Sequence, residues 1–293
     1  MKWSYILFLP AIVSAAWALF IVMKHRRPAR SQVILSLMLL IESVAMTVFG
    51  VFFRGQEEQI FIYTYTFEVM AVVCGPMFYI GICSHTEARG ATLKQRRVFV
   101  IPLLFIIGLT IATFWLGPRR YGVMCVDYRE YGLAWGKEDP AWTFMLIWKY
   151  GVFPTVLIVY SFILVIIATL KIRRFQHRYN SYYAKDMNLP YFNMREFNII
   201  VCIFLPLAGL IYYAAYMRPP YYKYWLIVGV VLLAVVQYIT GRLAYRMKYD
   251  ARYLAEYIRT KKLESTKKMA PLDAAMTFSL NKSTLPLEST TAS

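Results

Sequence analysis

Two acids, one base and one amide stand inside apolar stretches of this chain: Glu42, Glu68, Lys149 and Gln237. A charge in hydrocarbon costs about 2.5–3.5 kcal/mol on insertion scales, so such side chains face a helix bundle or a wet cavity. Counted at about 1.5 Å per residue, Glu68 and Lys149 lie roughly 9–12 Å along their segments from one side, so their depths match. Opposite charges at one depth offset part of each other's desolvation. The expectation is an intramembrane polar cluster in which Lys149 pairs with Glu68 while Glu42 and Gln237 lie deeper. A plainer alternative keeps the groups apart, with Lys149 extending its ammonium to an interface and each glutamate protonated or bonded to a neighbouring helix.

Other residues bear on shape and binding. Gly75-Pro76 falls inside an apolar run, where proline removes a backbone donor and clashes with the preceding turn, so a kink is expected there. Pro154, close after Gly151, and Pro206 predict kinks in two further runs. Aromatic residues gather near one side of the runs. They read as an interfacial belt or, for Tyr65, Trp148 and Tyr212, as ligand-facing side chains of an outward pocket. No metalloprotease, P-loop or nucleophile-elbow motif occurs in the sequence. His25, His85 and His177 are far apart, and no Cys or His spacing matches a zinc site. No enzyme activity, metal or cofactor is expected.

The elements that must position these residues are apolar runs. Of the 293 residues, 59% are hydrophobic and 17% charged, against about a quarter charged in ordinary soluble domains. Seven runs stand out, at 5–23, 33–53, 60–83, 98–116, 143–170, 197–216 and 224–245. A helix needs about 20 residues to cross about 30 Å of hydrocarbon, and these runs have that length without the alternation of barrel strands. The predicted fold is therefore all-α, a polytopic bundle of about seven transmembrane helices over 1–248. A tail over 249–293 is predicted to begin as a short helical extension and to continue as a Ser- and Thr-rich disordered stretch. The first run has a signal-peptide look around Ser14-Ala15-Ala16, but it continues to a basic end at Lys24, which favours a span.

Most of the 33 Lys and Arg fall in 24–31, 84–97, 171–196 and the tail from Arg242. Basic loops stay on the cytoplasmic side, so the N-terminus is expected outside and the C-terminus in the cytoplasm, in the cell inner (cytoplasmic) membrane. That retention also accounts for the net charge of +17 without invoking nucleic-acid binding.

Residues Gly75-Pro76-Met77-Phe78-Tyr79-Ile80, followed by a polar loop and an apolar segment from Val98 to Pro102, carry a resemblance. The pattern resembles the N-terminal seven-helix membrane domain of bacterial membrane-anchored AraC-type transcriptional regulators, and the hydropathy layout over about 1–248 is similar. In that family the last helix leads into two helix-turn-helix units. Here about 45 residues follow the last run, too few for such a pair. The resemblance implies a sensor half without the DNA-binding output, and no direct nucleic-acid contact. The expected function is a membrane sensor or signalling module that detects a small ligand or a membrane state and relays it to a cytoplasmic partner. The alternative is a transporter or permease subunit using the intramembrane Glu and Lys residues.

The orientation has a direct test. A reporter active only in the cytoplasm is expected to work when fused after Glu264 and to be silent when inserted near Gly132. The reverse pattern in a whole-cell assay would overturn the predicted orientation.

Overall fold

An apolar run that must satisfy its own backbone becomes a helix, and every such run described in the computed structural model is one. Described are residues 3–24, 28–52, 60–87, 89–117, 119–124, 143–144, 147–182, 207, 211, 221–247, 255–256 and 259–260. A 3-10 turn, Trp3–Phe8, opens into α1 (Leu9–Lys24). Next come α2 (Arg30–Phe52) and α3 (Ile60–Thr86). A single turn, Leu93–Arg96, and a 3-10 turn, Arg97–Phe99, lead into α4 (Val100–Leu116). A π-helix, Ile147–Val152, leads into α5 (Phe153–Tyr182), and the last long helix is α6 (Tyr222–Arg246). No strand occurs among the described residues. Among the described residues, five stretches are long and apolar enough to cross a membrane: Tyr5–Lys24, Arg30–Phe52, Tyr65–Thr86, Leu93–Leu116 and Lys223–Arg246.

The chain divides into two units, Met1–Asp250 and Ala251–Ser293, and all the helices named above belong to the first. The sixth apolar run, with Pro206 and Tyr212, lies outside the described residues except for Leu207 and Ile211, and the tail from 261 onward lies outside them too. Two details differ from the sequence expectation. The fifth run is not one regular helix: it starts as the π-helix and then continues to Tyr182, beyond its apolar part, because 171–182 has no Pro or Gly to stop it. The segment after α4, read as loop, folds into a helical turn over 119–124.

Successive helices run up and down. Ser43 donates to the Ala11 carbonyl at 2.8 Å, joining the middle of α2 to the first turn of α1. Lys24, Arg30 and Arg246 mark helix ends on one side of this alternation, here called the basic end. There Gln32 is satisfied on both sides of its amide. Its Oε1 accepts from the Ala29 backbone at 3.0 Å, and its Nε2 donates to the Ala244 and Tyr245 carbonyls at 3.3 and 3.0 Å. Those two carbonyls belong to the last turn of α6, where helical partners run out; that of Ala244 also accepts from the Met247 backbone at 3.2 Å. At the start of Leu93–Arg96 a capping box pairs Thr92 and Gln95 reciprocally.

The core of the bundle packs Leu35, Leu39, Phe78, Ile82, Ala168 and Leu243 from α2, α3, α5 and α6. Outward faces are apolar where a water-soluble bundle would be charged: Leu104, Ile111, Phe114 and Trp115 of α4 are 62, 64, 78 and 71% exposed. Monomeric soluble proteins rarely leave such contiguous apolar surface uncovered.

Helices approach most closely where a side chain is missing. A Cβ on Gly81 would sit 2.7 Å from Leu35, and one on Gly241 would collide with the indole of Trp17. Trp17 packs edge-on to Tyr238 as well, at 5.4 Å between ring centroids, so the indole has little room to retreat. Gly241→Val is expected to destabilise the protein by about 1–3 kcal/mol through overpacking. Adding Trp17→Ala should recover part of the loss in thermal unfolding in detergent. A Gly241→Val variant as stable as the parent would place α1 and α6 further apart.

Candidate functional site

The predicted polar residues occupy two distinct places. The first is an ion pair. Lys149 Nζ lies 3.3 Å from Glu68 Oε1, and the two side chains are 0 and 4% exposed. Lys149 comes from the π-helix Ile147–Val152, in which the turn is widened just before Pro154. Proline carries no N–H, so a regular hydrogen-bond ladder is already broken there, and such π turns concentrate at functional positions. Glu68 comes from the half of α3 remote from the basic end.

Between them stands Tyr121, fully buried, from the helical turn 119–124. Its hydroxyl donates to Glu68 Oε2 at 3.2 Å and accepts from Lys149 Nζ. The ammonium also lies 3.9 Å from the Tyr121 ring centroid, within cation–π range. Each charge thus has both an opposite charge and a neutral hydrogen-bond partner. Sequence reasoning missed Tyr121 because its neighbours Arg119, Arg120 and Gly122 belong to a loop-like stretch with no apolar periodicity.

The second place is a cavity of about 230 Å³ among α2, α3, α5 and α6. Its walls are mostly apolar, with Met38, Met46, Phe67, Phe78, Ile158 and Leu233 among them. Glu42 and Gln237 both line it and are electrostatic neighbours. Gln237 is 1% exposed, and neither atom of its amide meets a hydrogen-bond partner among the described residues. Thr240 and Cys74 also line the cavity, with their hydrogens already directed to the Val236 and Met70 carbonyls. Glu68 and Lys149 are not among its lining residues, so Glu42 and Gln237 form a group separate from the pair. Phe67 faces the cavity while Glu68, one position on, is turned about 100° around α3.

Gly75 lines the cavity, and Pro76 follows it in α3. A Cβ on Gly75 would come 2.9 Å from the Ser161 hydroxyl, so the glycine sets how closely α3 approaches α5. Pro76 is buried inside α3. Pro154 is the second residue of α5. Tyr65 and Trp148 are not cavity residues. The Tyr65 hydroxyl is 2.8 Å from Thr110 on α4, and Trp148 is stacked with Phe105 and Phe144 at 5.9 and 6.4 Å. No cluster of three His, Cys, Asp or Glu suited to a metal ion occurs among the described residues.

A third polar junction closes the basic end. Glu87, just past α3, accepts from Lys171 of α5 and from Gln95. The Lys171 and Glu87 side chains are 24 and 32% exposed, so this is a screened contact of modest strength. α3 therefore connects the ion pair, the cavity wall and this junction.

These features define an all-helical protein with several helices that could cross a membrane, holding a buried ion pair and an apolar cavity with an acid in its wall. The sequence matches no protein-family model and no curated protein, and the fold matches no solved structure.

Removing one partner of a buried pair leaves the other charge without compensation, at about 3–5 kcal/mol. Lys149→Met alone is expected to destabilise the protein by about that amount. Combined with Glu68→Gln, it should cost clearly less than the two single changes added together. A double-mutant cycle read by thermal unfolding in detergent measures the coupling. Strict additivity would mean that the two side chains do not support each other.

Proposed function

We propose that this chain is a seven-helix protein of the cytoplasmic membrane, N-terminus outside and C-terminus in the cytoplasm, that senses a small ligand and relays the event to a cytoplasmic partner. The sixth apolar run supplies the remaining span in this reading, and α5 supplies another. Five helices of spanning length and the exposed apolar faces support the membrane setting. The basic helix ends, gathered on one side, support the orientation. The resemblance to the membrane domains of AraC-type regulators is in keeping with a sensor whose output lies elsewhere.

The observation that carries the reading is the course of α3. Its residues Phe67, Ala71, Cys74, Gly75 and Phe78 form one wall of the cavity. Beyond Pro76 the same helix ends at Glu87 and its junction with Lys171. A ligand that presses on Ala71 or Phe78 moves a helix hinged at Pro76, and the weak Glu87–Lys171 contact gives way before the packed core does. Helix shifts of about 1–2 Å are typical of such transitions. The Glu68–Lys149 pair holds the far half of α3 fixed, so that displacement is directed to the basic end.

An acid in the cavity wall also supports a transporter as the second reading. That reading requires flux through proteoliposomes that is lost in Glu42→Gln.

Filling the cavity from within mimics occupancy. With spin labels at Arg89→Cys and Arg173→Cys, and the native cysteines replaced, Ala71→Phe is expected to shift the inter-label distance by about 1–2 Å. Ala45→Leu, on the α2 side of the cavity, should act in the same direction. Distances unchanged in both variants, with both proteins folded by thermal unfolding, would remove the relay.

A further inference from the structure

We infer that the cavity binds a small lipophilic amine, its apolar body between α3 and α6 and its ammonium against Glu42 and Gln237. The inference rests on the proposed ligand-sensing role and gives it a ligand class. Size comes first. An apolar cavity of about 150 Å³ takes a guest the size of benzene, so one of about 230 Å³ takes a guest of roughly ten heavy atoms.

Hydrogen-bonding capacity comes second, and it is asymmetric. An ionised Glu42 only accepts. Thr240 has committed its hydrogen to the Val236 carbonyl and Cys74 its hydrogen to the Met70 carbonyl, so within the cavity both can only accept. Gln237 lies beside Glu42, so its NH2 group turned to that carboxylate leaves the amide oxygen as an acceptor, and the Ser161 hydroxyl adds one further donor and acceptor. Acceptors outnumber donors in this lining, and an ammonium with its three N–H bonds matches it. A carboxylate would set acceptor against acceptor. A hydroxyl would offer one donor and no charge to the carboxylate of Glu42.

Charge comes third. Among the described residues no Lys, Arg or His lines the cavity and none forms an ion pair with Glu42, whereas Glu68 has Lys149. Among those residues one acid inside the helices thus has a cationic partner and one has none. An ammonium ligand completes the second pair, and its apolar body covers Phe67, Phe78 and Leu233.

The test uses three compounds of one shape: phenylpropylamine, phenylpropanol and phenylpropanoate. Each is titrated by calorimetry into the full chain in nanodiscs of zwitterionic lipid, with empty nanodiscs as the control for partition. The amine is expected to bind about tenfold more tightly than the alcohol, and the carboxylate is expected not to bind. In Glu42→Gln the amine and the alcohol should become equal. In Ala71→Phe, where the cavity is filled, neither should bind. An alcohol as tight as the amine in the parent protein would overturn the assignment, as would a preference for the amine that survives Glu42→Gln. The spin-label distances separate this from the sensing role. Amine binding without a shift leaves the ligand class standing and removes the relay, whereas alcohol binding with a shift does the reverse.

Discussion

Lys149 and Glu68 are enclosed so completely that neither could be tolerated alone, and much of the local architecture serves to bring them together. Lys149 reaches inward from a widened helical turn, and that turn precedes a proline that has already given up a backbone hydrogen bond. Tyr121 is carried into the bundle by the helical turn 119–124, and its phenol bridges the two charges. The result is a locally neutral unit in which no donor or acceptor of the pair is stranded. Buried polar groups in this state add specificity to a packing that apolar side chains leave loosely defined. They fix the register of α3 against the elements that follow α4.

The cavity has the opposite character. Glu42 and Gln237 have polar capacity that, among the described residues, meets little beyond each other. An unpaired buried polar group costs free energy comparable to a lost hydrogen bond or more. Within one bundle, then, one polar site is closed on itself and the other is left open, and the two are linked by α3. A stable fold needs the first. The second reduces stability, as sites held ready for a guest commonly do.

Much of this was legible in the sequence, for physical reasons. Long apolar runs can only be helices, and the five helices of spanning length fall on runs that composition alone marks out. The partnership of Lys149 with Glu68 could be approached by counting residues from the ends of the runs, because depth scales with residue number in a helix. Rotation about the helix axis was harder to read. Depth put Glu42 and Gln237 with the pair, but the adjacent residues Phe67 and Glu68 look in different directions, and only Phe67 faces the cavity. Tyr65 and Trp148 looked like ligand-facing aromatics from composition, yet they are engaged with Thr110 and with Phe105 and Phe144. Tyr121 gave no signal, since a short helix between charged and glycine residues has no period to detect. Likewise the π turn at Lys149 depends on hydrogen bonds that a hydropathy profile does not contain.

Gln32 ties the first turn of α2 to the last turn of α6 through two hydrogen bonds from its amide nitrogen, while its amide oxygen accepts from the Ala29 backbone. Carbonyls at a helix end normally exchange freely with whatever donors are near, and the end frays. Here two of them are clamped by a residue more than two hundred positions earlier in the chain. The last turn of α6 is therefore held against the first turn of α2 and does not end as a frayed turn. A tilt of α2 would pull on that turn through Gln32, much as a crank passes the swing of an arm to a shaft.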